Sequence, residues 1–172
     1  MLTLLLLRHA KSSWDDPSLD DIDRPLSKRG AKTAPMMGAF IAREKLKPDL
    51  VLCSTAVRTR GTLALVLPEL GQPPPDVVFE ETLYLASTSD MLARVRTIEK
   101  SRKRVLVVGH NPGTHALALT LIGDGARANI AALATKFPTA GLAVLTFQSD
   151  KWSDVRPASG HLDVFVTPRG LA

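Results

Sequence analysis

Little in this sequence can cross-link the chain or hold a soft metal. Cys53 is the single cysteine among 172 residues, which excludes an internal disulfide and a cysteine-rich zinc site. With no disulfide requirement, a cytoplasmic location is expected. Aromatic residues are scarce too: two Trp, one Tyr and five Phe are too few for the stacking platforms that bind nucleic-acid bases. No segment approaches the ~20 apolar residues that span a bilayer. The opening Met1-Leu2-Thr3-Leu4-Leu5-Leu6-Leu7 is too short for a signal peptide, lacks a preceding basic segment, and meets Arg8-His9 at once. Gly-x-x-x-x-Gly-Lys, Gly-x-Gly-x-x-Gly and Gly-x-Ser-x-Gly are all missing, which argues against nucleotide, dinucleotide and serine-hydrolase chemistry.

What is present suits one soluble globular domain, residues 1–172. Hydrophobic residues make up 45% and charged residues 23%, enough apolar side chain for a substantial core. The net charge of +5 suits an acidic ligand but is too dispersed to argue for nucleic acid. Neither a nucleic acid nor a membrane is therefore an expected partner.

Leu4-Leu5-Leu6-Leu7 reads as a strand buried on both faces, as in the middle of a parallel sheet. It ends at Arg8-His9, and in open α/β sheets ligands bind at the carboxyl ends of the strands. Ser13 to Arg24, with Asp15, Asp16, Asp20, Asp21 and Asp23, reads as a surface loop. Ser27 is the expected N-cap of a helix running to Lys45, which Pro35 should kink. Leu50 to Cys53 reads as the second strand, and Ser54 as the N-cap of a helix that carries Arg58 on its first turns and runs on through Leu67.

Val77-Val78-Phe79 predicts a short strand, and Ser89 or Asp90 the cap of the next helix. Val105 to Val108 is the clearest strand and runs into Gly109-His110-Asn111-Pro112-Gly113. Asn111 fits an N-cap and Pro112 the first helical position, so His110 should stand at a helix amino terminus suited to anions. The helix that follows, through Ile122, is apolar nearly all round and is expected to be buried. A further helix over Ala126–Ala134 and strands over Gly141–Phe147 and Leu162–Val166 complete the reading.

Three strand ends thus bring Arg8, His9, Arg58 and His110 to one edge of a sheet. Two arginines can hold a phosphoryl group through forked, charged hydrogen bonds, each contributing on the order of 1.5–3 kcal/mol. A neutral histidine can attack phosphorus, and a second can donate to the oxygens that gain charge. This set needs no metal. His115 lacks nearby ligands that would complete a metal site.

These residues resemble a known family. Leu7-Arg8-His9-Ala10-Lys11-Ser12-Ser13-Trp14 is similar to the Arg-His-Gly signature of the histidine phosphatase, or phosphoglycerate mutase-like, superfamily. Asp23-Arg24-Pro25-Leu26-Ser27 with Gly30, Cys53-Ser54-Thr55-Ala56-Val57-Arg58-Thr59 with Thr62, and Val107-Val108-Gly109-His110-Asn111-Pro112 resemble its small SixA-type phosphohistidine phosphatases. Pro138-Thr139-Ala140-Gly141, Trp152 and Phe165-Val166-Thr167-Pro168 extend the likeness along the chain.

The resemblance implies a single-domain three-layer α/β/α fold with a mostly parallel central sheet, and no cofactor. His9 would be the transiently phosphorylated nucleophile, with Arg8, Arg58 and His110 forming the phosphate pocket and Ser12 and Asn111 assisting. Glu81, in Glu81-Thr82-Leu83-Tyr84, fits the superfamily's general acid. A solvated loop carboxylate, or Glu80 in that role, stays open. The usual glycine after the histidine is Ala10 here. Asp15 stands where the wider superfamily often has a phosphate-binding asparagine, and its charge should turn it away.

A rival reading takes Cys53 and Arg58 as a cysteine-phosphatase pair, but four residues intervene instead of five, and a buried strand-end thiol is usually inert. A phosphoryl-binding module without catalysis is the non-enzyme alternative. With no long insertion to form a lid, the pocket should admit phosphohistidine on a signalling or phosphotransfer protein, with small phosphoesters or phosphoanhydrides second. A monomer is expected, though the sequence leaves the oligomeric state open.

Overall fold

The computed structural model describes residues 1–172. Strand β1 (Leu2–Arg8) leads through a polar segment into helix α1 (Lys28–Arg43), then β2 (Leu50–Ser54), α2 (Val57–Val66) and β3 (Asp76–Glu80). Helix α3 (Thr88–Arg96), β4 (Arg104–Gly109), α4 (Gly113–Leu121), β5 (Ile122–Gly125) and α5 (Arg127–Thr135) follow. Strands β6 (Leu142–Phe147) and β7 (Gly160–Val166) and the short α6 (Pro168–Leu171) close the chain.

The seven strands form one sheet in the order β3-β2-β4-β1-β6-β7-β5. Only β6 runs against its neighbours; the other pairings are parallel. Strand side chains alternate between faces, so the leucines of β1 divide between two cores. Leu2, Leu4 and Leu6 pack with Met91, Val95, Leu117, Leu121 and Leu133 from α3, α4 and α5. Leu5 and Leu7 pack with Ala34, Met37, Ile41, Leu63 and Val66 from α1 and α2. The fold is therefore the expected three-layer α/β/α sandwich around a mostly parallel sheet, and no helix is long and apolar enough to cross a membrane.

Several local expectations need correction. Ser54 closes β2 and does not cap α2, whose cap is Ala56. Ser87, through its hydroxyl and Asp90 N–H, caps α3 in place of Ser89 or Asp90. Pro112, not Asn111, holds the cap position of α4, after a cis Asn111-Pro112 bond. Helix α4 is not buried all round, since Leu119 is 43% exposed. Ile122 opens β5, a strand with no hydrophobic run to announce it. Pro35 lies inside α1, which continues through it to Arg43.

The helix start at α1 also shapes the chain beyond His9. Ser27 N–H and Oγ both donate to Lys11 O, at 2.8 and 3.1 Å, and Ser27 Oγ accepts from Gly30 N–H. A Cβ on Gly30 would stand 2.1 Å from that same Lys11 oxygen. Gly30→Ala is expected to lose about 1–3 kcal/mol through this overlap. Gly61→Ala, whose Cβ would meet only the Leu26 side chain at 3.4 Å, should gain up to ~1 kcal/mol of helix propensity. Urea midpoints of the two variants check the contrast, and equal shifts would contradict it.

Candidate active site

Strands β2, β4 and β1 are adjacent and parallel, and Arg8 pairs in register with Gly109 while Cys53 pairs with Val108. Their carboxyl ends therefore finish level. Arg8, His9, Arg58 and His110 line one cavity of about 240 Å³, together with Ser12, Asn111, Arg24 and others. The four residues drawn from separate strand ends do meet, and the His9 and His110 ring centres are 5.4 Å apart.

The two histidines are distinguished by their partners. His9 Nδ1 lies 2.7 Å from Ala10 O; a carbonyl only accepts, so Nδ1 carries the ring proton and Nε2 keeps its lone pair. His110 Nε2 lies 2.7 Å from Ser54 Oγ, a hydroxyl that also accepts from Ala56 N–H at 3.4 Å. The hydroxyl has its own proton to donate to Nε2, and in that tautomer the His110 proton sits on Nδ1, a buried atom with no protein partner. One ring thus offers a lone pair and the other a proton.

The electrostatics keep both rings neutral. Burial, followed by the charges of Arg58, Arg8 and Arg24 and only partly offset by the Ala10 hydrogen bond, pushes His9 down to about 4. Burial, Arg58 and His9 push His110 down to about 3. Burial and Arg58 also lower Arg8, whose Nη1 donates to Phe137 O at 3.0 Å while its buried Nε has no partner.

Arg58 is only 4% exposed and is held by a residue the sequence reading left in a surface loop. Its Nη1 donates to Asp21 O at 2.7 Å and its Nη2 to Asp21 Oδ2 at 2.9 Å. Tyr84 OH donates to the same Oδ2, and the Tyr84 ring meets His110 edge-on at 5.3 Å. The Tyr84 hydrogen bond, with Arg58 and Arg24, holds the Asp21 carboxyl down at about 2. Arg24 donates to Ser13 O, Asp21 Oδ1 and Ser12 Oγ and stacks on Trp14 at 3.2 Å from the ring centre. It pins the Ser12–Arg24 segment around the cavity.

The remaining predicted residues divide. Ser12 Oγ accepts from Arg24 and keeps its own proton, Asn111 Nδ2 donates to Phe137 O at 2.9 Å, and both line the cavity. Glu81 is exposed and does not line it; Glu80 is tied to Arg94 on α3 at 2.6 Å. The Glu-x-x-aromatic motif reaches the site through Tyr84, not through its glutamate. No carboxylate lines the cavity at all. Cys53 is buried, and burial pushes its thiol up to about 12, which removes it as a thiolate nucleophile. His115 Nε2 meets Leu133 O at 2.6 Å, and no cluster of three His, Cys, Asp or Glu side chains is placed to hold a metal.

With the geometry in hand, comparison with known proteins is decisive. Residues 4–84 match the histidine phosphatase superfamily (branch 1). A Mycobacterium tuberculosis protein of uncharacterised function is 38% identical over 165 residues, covering 95% of this chain and all of that one. A candidate phosphohistidine phosphatase SixA from Agrobacterium tumefaciens is 32% identical, with TM-score 0.81 over 97% of this chain and 98% of that one. The chain belongs to the histidine phosphatase superfamily. A second candidate SixA, from Nakamurella multipartitia, is 30% identical with TM-score 0.84 over 97% and 96% of the two chains. The histidine phosphatase fold therefore extends well beyond residue 84, through β4 with its His110 to the last strands.

The depressed histidines make stability depend on pH in a defined window. Above the unfolded value of about 6.5 both states hold them neutral, so nothing is lost. Below it the unfolded chain binds protons that the folded site refuses, and stability falls from pH ~6.5 towards 4 by up to ~1.4 kcal/mol per unit for each histidine. Asp21 contributes in a lower range, its share lost only as pH drops from about 3.8 to 2. Urea unfolding at pH 7, 6 and 5 should show the loss, with a shallower slope in His110→Gln. A midpoint flat from pH 7 to 5 would contradict the neutral pair.

Proposed function

We propose that the whole chain acts as one histidine phosphatase domain that removes phosphoryl groups, with phosphohistidine on another protein as its substrate. The observation that carries the phosphatase reading is the cavity where His9 Nε2, free of its proton, stands among Arg8, Arg58 and His110. His9 Nε2 attacks phosphorus, the bond to the leaving group breaks, and a phosphoramidate forms on His9. Arg8 and Arg58 hold the equatorial oxygens, and the His110 proton meets the charge that develops there. Water then attacks phosphorus, the bond to His9 breaks, and inorganic phosphate leaves. None of these steps draws on a metal.

The substrate class follows from what can donate a proton to the leaving group. No carboxylate lines the cavity, and Asp21, held at about 2, is ionised at neutral pH and has no proton to give. An alkoxide leaving group is strongly basic and needs an acid. An imidazole does not, because it is protonated on the nitrogen away from phosphorus and departs neutral. A site without a carboxylic acid is thus matched to phosphohistidine before alkyl esters. Small phosphoanhydrides, which also leave without help, are the second reading.

Rapid quench with labelled substrate should trap label on His9 as an acid-labile, alkali-stable bond; Arg58→Ala should lose about 10²–10³-fold in turnover, and Cys53→Ser should keep most activity. A dead but folded serine variant would restore the cysteine mechanism. Glu81→Gln should leave phosphohistidine-peptide hydrolysis within about threefold, and a loss of ~10²-fold on both peptide and alkyl phosphate would make Glu81 the acid after all.

A further inference from the structure

Beside the catalytic cavity lies a second one, of about 420 Å³, which shares Arg8, Lys11 and Thr139 with it. Five cations line it, Arg8, Lys11, Arg29, Lys136 and Arg169, and no carboxylate does. None of Lys11, Arg29, Lys136 or Arg169 makes an ion pair anywhere in the protein. Like charges gathered in a concavity repel one another and focus a positive field into it.

Helix stability does not explain the gathering. Arg29 sits in the first turn of α1, which holds no acidic residue, and a cation there opposes the helix dipole. Arg8 adds a buried Nε with no partner. The cations come from four separate parts of the chain: the end of β1 and the residues after it, α1, the residue after α5, and α6. The arrangement is that of an anion site, and its shared wall sets it next to the reacting phosphoryl group.

We propose that this cavity is a second anion subsite, which takes a phosphoryl or carboxylate group carried by the substrate next to the phosphoryl group that is removed. The proposal rests on the phosphatase reading and deepens it. The substrate is polyanionic, and the second anion aligns it across the wall formed by Arg8, Lys11 and Thr139. The second group belongs either to acidic residues flanking a phosphohistidine or to a small molecule with two phosphates, and the chemistry of recognition is the same.

The test uses the full chain and two matched substrate pairs: a phosphohistidine peptide flanked by glutamates or by glutamines, and propane-1,3-diol bisphosphate or its monophosphate. The wild type should prefer the more anionic member of at least one pair by about tenfold or more in kcat/KM, and the pair that shows it identifies the source. In Arg29→Ser/Arg169→Ser, and separately in Lys136→Gln, that ratio should collapse to within about threefold of unity. Ratios near one in the wild type, or a preference that survives in folded variants, would overturn the subsite.

A binding measurement separates this from the catalytic reading. Propane-1,3-disulfonate should bind the wild type at least about tenfold more tightly than propanesulfonate, with a steeper loss of affinity in salt. Equal affinities would overturn the subsite whatever the variants do. If neither peptide is hydrolysed but the disulfonate preference holds, phosphohistidine falls as the substrate and the subsite stands.

Discussion

The constraint on which this structure turns is an excess of buried positive charge. Arg8, Arg24 and Arg58 converge on two histidines, and one carboxylate, Asp21, answers them. A guanidinium as buried as Arg58 needs a partner, since an uncompensated charge away from water is costly. Asp21 supplies it from behind, through its backbone oxygen and its side chain at once. That leaves the other donors of Arg58 uncommitted. Burial, reinforced by the charges of Arg58 and Arg8, then keeps both rings unprotonated, so the charge that binds phosphate also helps keep the nucleophile available.

Such a site is stable because rigid elements hold it. Arg8 ends a strand with fully buried neighbours on both faces, and His9 N–H donates to Gly109 O across the sheet at 3.1 Å. The repulsion among the arginines is therefore resisted by two hydrophobic cores, one on each side of β1. A dianion entering the cavity relieves it, and whatever binds the folded state alone adds stability by mass action.

Most of the frame was legible because buried parallel strands announce themselves as unbroken apolar runs, and ligand sites fall at their carboxyl ends. Leu4–Leu7 and Val105–Val108 carried the placement of His9 and His110 in this way. What the sequence hid were partners set by long-range contact. Asp21 is one of five aspartates in a polar stretch, and nothing local separates it from Asp20 or Asp23. Its role comes from Arg58, 37 residues away, and Tyr84, 63 residues away. Ser54 and Asn111 were misread for the same reason: both are good caps in isolation, but their side chains are claimed by His110 and by the Phe137 carbonyl. The family pattern placed a glutamate at the site, whereas the single turn after β3 leaves Glu81 exposed and turns Tyr84 towards His110.

The tautomer of His9 is fixed through a chain of buried contacts that runs to the phosphate-binding arginine. Ala10 presents its carbonyl to His9 Nδ1 and, from the peptide unit before it, its N–H to Thr62 Oγ1 at 2.9 Å. Thr62 Oγ1 in turn donates to the Arg58 carbonyl at 2.8 Å. Ala10 and Thr62 are both wholly buried, so water cannot replace either bond. The residue whose carbonyl sets the proton on the nucleophile is therefore anchored to the helix that carries Arg58. The lone pair of His9 and the fork of Arg58 are positioned by one hydroxyl, which explains how residues 49 positions apart keep a common geometry around phosphorus.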